Sequence, residues 1–302
     1  MAESWLRSVP GIREQEALSR HSWYGIGGPA EYYLEVADSQ QLVALLQRAQ
    51  EMGTNCTVFG AGSNSLFPDE GVLGLTLKVA VEHFKAADGV VTAGAGTLMP
   101  WLALETAKRG LAGLEFGAGV PGTVGGSVFG NAGAFGVEVA DRLLSADCLD
   151  AGGQPRTIGA GGCAFAYRDS AFKSGRLRDH VLVAASFNVF PGDPAAIRDQ
   201  IRRVQRHRRE TQPIDRRSLG STFKNPPHDA AGRLIDACGL KGRRIGGAQI
   251  SEKHANFIVN LGGARAGDVL ALMAEMQARV RDQFGIELEP EVRVIGRGAA
   301  GG

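Results

Sequence analysis

The 302-residue chain has almost no charge imbalance, with 33 Lys and Arg against 32 Asp and Glu and a formal net charge of +1. Proteins that bind nucleic acid or membrane surfaces usually carry a large basic excess, so those partner classes are set aside and small molecules favoured. Lysine is scarce, 7 against 26 arginines, a bias that decides nothing about function. No stretch approaches the roughly 18 apolar residues that span a bilayer, and the opening "MAESWLRSVPGIREQEALSR" has no apolar signal region, so a cytoplasmic protein is expected. Cys56, Cys148, Cys163 and Cys238 are far apart and form no C-x-x-C, which reads as reduced, mostly buried thiols; neither a disulfide nor a metal is assigned to them. There are no internal repeats, and the only low-complexity stretch is the Gly/Ala tail at 298–302.

What is present is apolar residue and glycine: 44% of the chain is hydrophobic and 43 residues are glycine. Such a chain can bury a sizeable core, and its length fits two domains or three small ones. Asp38 and Ser39 precede the helical spacing of "QQLVALLQRAQEMG", with Gly53 as its stop. "CTVFG" reads as a buried strand running into the polar glycine turn "GAGSNSLFPDEG", 60–71. "VVTAGAG" reads as strand and turn, and "LMPWLALETAKRG" as a helix closed by Gly110. Short strands are expected from Leu143 to Phe190. Asp193 and Pro194 then look like an N-cap and first helical residue, which places a domain boundary near 195. Beyond it, "AAIRDQIRRVQRHRRE" and "AAGRLIDACG" read as helices and "NFIVNL" as a strand. A last helix has Val269, Leu272 or Met273, Met276, Val280 and Phe284 on one face, and "IELEPEVRVIG" reads as a terminal strand.

The segment "GAGVPGTVGGSVFGNAGAFG", 117–136, contains Gly117, Gly119 and Gly122 at the spacing of a dinucleotide-binding turn, with Asp141 near the place of its ribose-binding acid. That turn needs a strand before it and a helix opening at its third glycine. Gly125, Gly126, Gly130 and Gly133 argue against the helix, since each glycine costs about 1 kcal/mol in a helix interior relative to alanine. The glycines suit instead a backbone lying against an extended ligand, with peptide N–H groups forming a concavity for phosphate oxygens. The loop Gly60, Ala61, Gly62, Ser63, Asn64 and Ser65 has the same chemistry with added hydroxyl and amide groups. Two such loops favour one large phosphate-bearing cofactor.

Seven stretches together resemble the UDP-N-acetylenolpyruvoylglucosamine reductase (MurB) family of peptidoglycan precursor synthesis: "HSWYGIGGPAEYY", "VFGAGSNSLFPDEG", "GLEFGAGVPGTVGGSVFGNAGAFG", "CAFAYRDSAFK", "GSTFKNP", "GGAQISEKHANFIVN" and "LEPEVRVIG". The resemblance implies an α+β chain with two vanillyl-alcohol-oxidase (PCMH) type flavin-binding subdomains, 1–72 and 73–194, and a substrate-binding domain, 195–302. It implies non-covalent FAD and NADPH as co-substrate, with no nucleic-acid or membrane partner. Cofactor contacts are then expected from residues 60–65 and from Gly117, Gly119, Val120, Pro121, Gly122, Thr123, Gly125, Gly126, Asn131, Ala132 and Gly133. Longer members carry an inserted loop with a substrate-clamping tyrosine, for which this chain has no room between Tyr167 and Gly220, so it resembles the shorter, type II form.

In the implied reaction, hydride reaches an enolpyruvyl ether through the flavin, and charge builds on the substrate carboxylate. Arg168 resembles the family's catalytic arginine, whose planar fork suits that carboxylate; a structural ion pair with Asp169 is the alternative. Ser221 resembles the proton donor, since an enolate-like dianion is basic enough to take a hydroxyl proton; the alternative is a turn serine. Glu291 matches the third catalytic position, against a plain salt bridge with Arg293. Substrate contacts are expected from Tyr167, Lys224, Asn225, Gln249, Ser251 and His254. The arginines at 198, 202, 203, 206, 208 and 209 read as a solvated helix face, while Arg216, Arg217, Arg243 and Arg244 are candidates for a diphosphate. Two other readings stay open: an oxidase of the same flavin fold acting on a small alcohol, and a non-catalytic nucleotide-binding protein.

Overall fold

A computed structural model describes residues 4–296. The first body is a four-stranded sheet in the order Arg13–Ala17, Pro29–Val36, Val72–Val79, Cys56–Phe59. The last three strands run parallel. Helix Ser39–Glu51 makes the crossover, started by the Asp38 carboxylate, which accepts from Gln40 and Gln41 N–H at 2.6 and 2.9 Å. Buried Leu42, Leu45, Leu46 and Ala49 face inward from that helix, as the spacing requires. The sheet runs past residue 72, because Val72–Val79 is one of its two inner strands.

The second body is an antiparallel five-stranded sheet in the order Pro155–Gly159, Leu143–Leu149, Val181–Asn188, Val90–Gly94, Phe84–Ala87. A single apolar core joins it to the first: Leu34, Val36 and Leu77 share a cluster with Val91, Ala93 and Phe187. Helix Pro194–Thr211, capped by Asp193, begins where the sequence places it. Its buried Ile197, Ile201 and Val204, however, pack on Ala103, Ala107, Ala112 and Ala118 of the second region. The helix that opens at the expected boundary near 195 thus packs against the second body.

The third body is a small antiparallel sheet ordered Arg217–Ser218, Ile258–Asn260, Ala248–Ile250, Arg244–Ile245, covered by helices Ala231–Ala237 and Ala266–Phe284. Tyr24, Ile26 and Leu66 from the N-terminal region complete its core. The expected terminal strand shrinks to Arg293–Val294, which pairs in parallel with Ser65–Leu66. All four cysteines are free thiols, Cys148, Cys163 and Cys238 buried and Cys56 half-buried. Among the described residues no helix is long and apolar enough to cross a membrane.

Asn256 fixes the segment that carries Ser221. Its amide accepts from Phe223 N–H at 3.0 Å and donates to Phe223 C=O at 2.8 Å, and its own carbonyl accepts from Thr222 N–H at 2.7 Å. The side chain is 2% exposed. Asn256→Ala leaves both peptide groups of Phe223 without these partners in the interior and should cost about 2 to 4 kcal/mol of unfolding free energy, measured from urea denaturation.

Candidate active site

The two glycine loops meet at one cleft of about 300 Å³. Ser63 Oγ donates to Pro121 C=O at 3.1 Å, and Thr123 caps the short helix Val124–Phe129 by accepting from Gly126 N–H. A Cβ on Gly60 would stand 2.4 Å from Thr123 Oγ1, and one on Gly122, whose φ is +122°, would stand 2.6 Å from Ser63 Oγ. Both glycines are thus required by loop-on-loop packing as well as by the open face of the cleft. The N–H groups of Gly60 through Asn64, with those of Gly122 and Thr123, have no acceptor among the described residues. Gly62 is buried. Orphaned, convergent peptide donors of this kind form a nest for anionic oxygens.

A helix does open after Gly122, contrary to expectation, but it has only 6 residues and ends at Gly130. The dinucleotide-turn reading fails on its other side. Glu115–Gly119 ahead of the turn is a 3-10 segment in place of a strand, and Asp141 spends its carboxylate on Glu138 N–H at 2.8 Å.

Arg168 sits at the tip of a two-residue turn closed by reciprocal Ala166–Asp169 backbone hydrogen bonds of 3.1 Å, and its φ is +57°. A side chain at positive φ is unusual and costs about 1 to 3 kcal/mol, which the surroundings must offset. The guanidinium donates to Gly133 C=O at 3.1 Å and Asn131 C=O at 3.4 Å, and pairs with Glu291 at 3.2 Å and Glu138 at 3.6 Å. Asp169 is not its partner; that carboxylate accepts from Ser170 N–H and Ser174 Oγ. Glu291 in turn pairs with Arg168 and not with Arg293.

Glu291 is held from three directions. Its N–H donates to Thr222 C=O at 2.9 Å, next to Ser221, and its C=O accepts from the Asn64 amide at 3.0 Å. Ser221 follows Gly220, whose φ is +81°, and lines the cleft with Arg168 and Glu291. Among the described residues its hydroxyl has no hydrogen-bond partner. Burial pushes the Glu291 carboxyl above its ordinary value, and Arg168, Lys173 and Lys224 together oppose the rise.

Residues 60–65, Gly119, Val120, Pro121, Gly122, Thr123, Gly125, Gly126, Ala132 and Gly133 all line the cleft. Gly117 does not, being buried under Met99, and Asn131 serves as a brace: its amide bonds Glu138, Ala166 C=O and Ala140 N–H. The expected substrate residues lie outside the lining. Tyr167 is exposed, with the Arg168 guanidinium 5.3 Å from its ring. Lys224 pairs with Glu289 at 2.5 Å; Asn225 accepts from Ala231 N–H, and Gln249 donates to Gly242 C=O. Ser251 accepts from the N–H groups of Lys253 and His254, and His254 Nδ1 accepts from Asn256 N–H. Arg216, Arg217, Arg243 and Arg244 are exposed and do not line the cleft.

Sequence reasoning missed Lys173, Arg208 and Arg293, all cleft-lining cations. Burial lowers the pKa of each. Arg208 was grouped with a solvated helix face; the other five arginines of that run are exposed, but Arg208 is half-buried and donates to Gln212 at 3.0 Å. Its signal was available: it lies four residues after Val204, on the helix face that packs inward.

Residues 30–159 match the family profile described as FAD binding domain, and residues 212–295 match that described as UDP-N-acetylenolpyruvoylglucosamine reductase, C-terminal domain. The chain is 46% identical over 295 residues to a UDP-N-acetylenolpyruvoylglucosamine reductase of Rubrobacter xylanophilus, covering 96% of this chain and 97% of that one. The chain belongs to the UDP-N-acetylenolpyruvoylglucosamine reductase family. A second relative, UDP-N-acetylenolpyruvoylglucosamine reductase 2 of Symbiobacterium thermophilum, is 44% identical with 98% and 97% covered. The crystal structure of the Thermus caldophilus reductase superposes with a TM-score of 0.81 at 38% identity, over 94% of this chain and 100% of that one. Similarity to this reductase family runs through the C-terminal domain as well as the flavin-binding fold, which a general flavin oxidase would not share.

The raised Glu291 pKa has a definite sign in stability. The folded chain keeps this proton at pH values where the unfolded chain, with its carboxyl near the ordinary 4.5, has lost it. The contribution of Glu291 is therefore fully present below about 4.5 and is lost as pH rises through the folded value. The unfolding free energy of the parent relative to Glu291→Gln should fall between about pH 4 and pH 7; a difference that rises across this range would contradict the burial of this carboxyl.

Proposed function

We propose that this chain reduces the enolpyruvyl ether of UDP-N-acetylglucosamine enolpyruvate to UDP-N-acetylmuramate, with NADPH as the source of hydride, in the cytoplasm. The first two bodies form the flavin-binding part and the third the substrate-binding domain. The observation that carries the reading is the convergence on one cleft of an orphaned peptide nest, the Arg168–Glu291 pair and the free hydroxyl of Ser221.

The residues present fit FAD. Gly60 through Asn64, Gly122 and Thr123 offer unpaired N–H groups for its diphosphate, while Val58, Phe59, Val79, Ala95 and Leu182 supply an apolar wall. Bound FAD supplies the two-electron carrier between NADPH and the enol ether. The cations Arg208 and Arg293 add positive charge to a cleft that must take anionic nucleotides.

Arg168 receives the substrate carboxylate. Its guanidinium is already clamped on two carbonyls and two carboxylates, so it stabilises the growing enolate charge without having to reorganise. Ser221 gives its hydroxyl proton to the carbon beside that carboxylate, and the Thr222–Asn256 and Thr222–Glu291 backbone hydrogen bonds fix its place. Glu291 holds the Arg168 guanidinium and, with its raised affinity for a proton, supports the protonation step.

The two half-reactions separate these roles. Ser221→Ala should still allow NADPH to bleach the flavin but should block reoxidation by the enolpyruvyl substrate, followed anaerobically by absorbance; equal loss of both steps would remove Ser221 from the proton-donor role. Arg168→Ala should slow reoxidation by about a hundredfold to a thousandfold, the usual effect of losing one preorganised electrostatic donor.

A further inference from the structure

Lys173 has no part in the roles above, yet its setting is unusual. Its side chain lines the cleft and is half-buried, and among the described residues no carboxylate stands within ion-pair distance of its ammonium. Its hydrogen bond goes instead to the backbone carbonyl of Arg168, at 2.9 Å. Desolvating a lysine without a direct anionic partner is unfavourable, so the position needs a reason beyond packing.

The reason lies in the backbone it grips. Arg168 must be an arginine for its guanidinium, but its φ of +57° belongs to a conformation that glycine or asparagine adopts more readily. The closing hydrogen bonds of the turn fix its two ends at Ala166 and Asp169, leaving the carbonyl of Arg168 to be held separately. Ser170 anchors the following segment, its hydroxyl donating to Phe129 C=O at 2.7 Å and its own carbonyl accepting from Lys173 N–H at 3.0 Å. The lysine thus reaches back from an anchored segment to hold the tip.

We propose that Lys173 is a positioning residue for this reaction: its ammonium, bonded to the Arg168 carbonyl, holds the strained turn that aims the Arg168 guanidinium at the substrate carboxylate and at Glu291. The assignment rests on the reading of function given above. The ammonium also adds a positive charge facing Glu291, within a group that includes Lys224, Asp169 and Glu289 around Lys173, and Arg168 and Lys224 around Glu291.

The test compares FAD-loaded parent, Lys173→Met and Lys173→Arg in anaerobic half-reactions. In Lys173→Met, flavin reduction by NADPH should stay within about twofold of the parent, while reoxidation by the enolpyruvyl substrate should slow about tenfold to a hundredfold, the effect expected of a reacting group displaced by a fraction of an ångström. The limb of the reoxidation pH profile that reports Glu291 should move to higher pH, because removing the facing cation makes the Glu291 proton harder to lose. Lys173→Arg, which keeps a charged donor, should recover part of the rate. Equal slowing of both half-reactions, or unchanged reoxidation with an unmoved pH profile, overturns the proposal. If Lys173→Met fails to retain flavin, the comparison passes to Lys173→Arg, where reoxidation slowed more than flavin reduction supports the assignment and equal effects on both half-reactions oppose it. Parent flavin that NADPH reduces but the enolpyruvyl substrate does not reoxidise would instead overturn the proposed function.

Discussion

The pairing of Arg168 with Glu291 is the contact on which the rest of the site depends. Arg168 stands on a turn of the second body, while Glu291 belongs to an extended tail that touches both of the others. The tail bonds the first glycine loop through Asn64 and Arg293, and the Ser221 segment through Thr222. Neither half of the pair is simply a surface ion pair. Burial penalises the carboxylate, the turn strains the arginine, and carbonyls of the 131–133 segment accept two further guanidinium N–H groups. A buried pair of this kind contributes little net stability, because desolvation offsets much of its Coulomb attraction. What it contributes is a fixed geometry among segments drawn from all three bodies.

The glycine loops show how one residue type can answer two demands. A side chain on Gly60 or Gly122 would strike the opposite loop, so these positions are already restricted by the protein's own packing. The same two loops carry the peptide N–H groups that have no partner among the described residues, on residues that line the cleft. Packing and ligand binding are consequently not competing explanations for the glycines.

Much of this was legible in the sequence. Asp38, Asp193 and Gly285 announce helix ends through local chemistry, and the structure places helix boundaries at each. The motifs around Arg168, Ser221 and Glu291 identified the family, and the cleft collects all three residues. What local pattern could not carry was long-range context. The helix after Gly122 forms despite its glycines because Thr123 caps it and Gly125 fits closely against Ala95. Helix Pro194–Thr211 has an ordinary amphipathic pattern that says nothing about which body it joins. Several expected ligand contacts, Asn225 and Ser251 among them, cap or close turns locally, and a motif gives no means of telling such a residue from one that faces a ligand.

The tail that carries Glu291 also bears on the order in which the chain becomes competent. Asn64 and Glu291 are 227 positions apart, yet one hydrogen bond, from the Asn64 amide to the Glu291 carbonyl, joins them inside the site. The sheets of the first two bodies can close while translation is still under way, because their strands all lie before residue 190. The site has no such early route. Until residues 289–295 have cleared the ribosome, Arg168 lacks the Glu291 carboxylate, the Ser221 segment lacks one neighbour and the first glycine loop lacks its parallel strand, so competence arrives late in the life of the nascent chain.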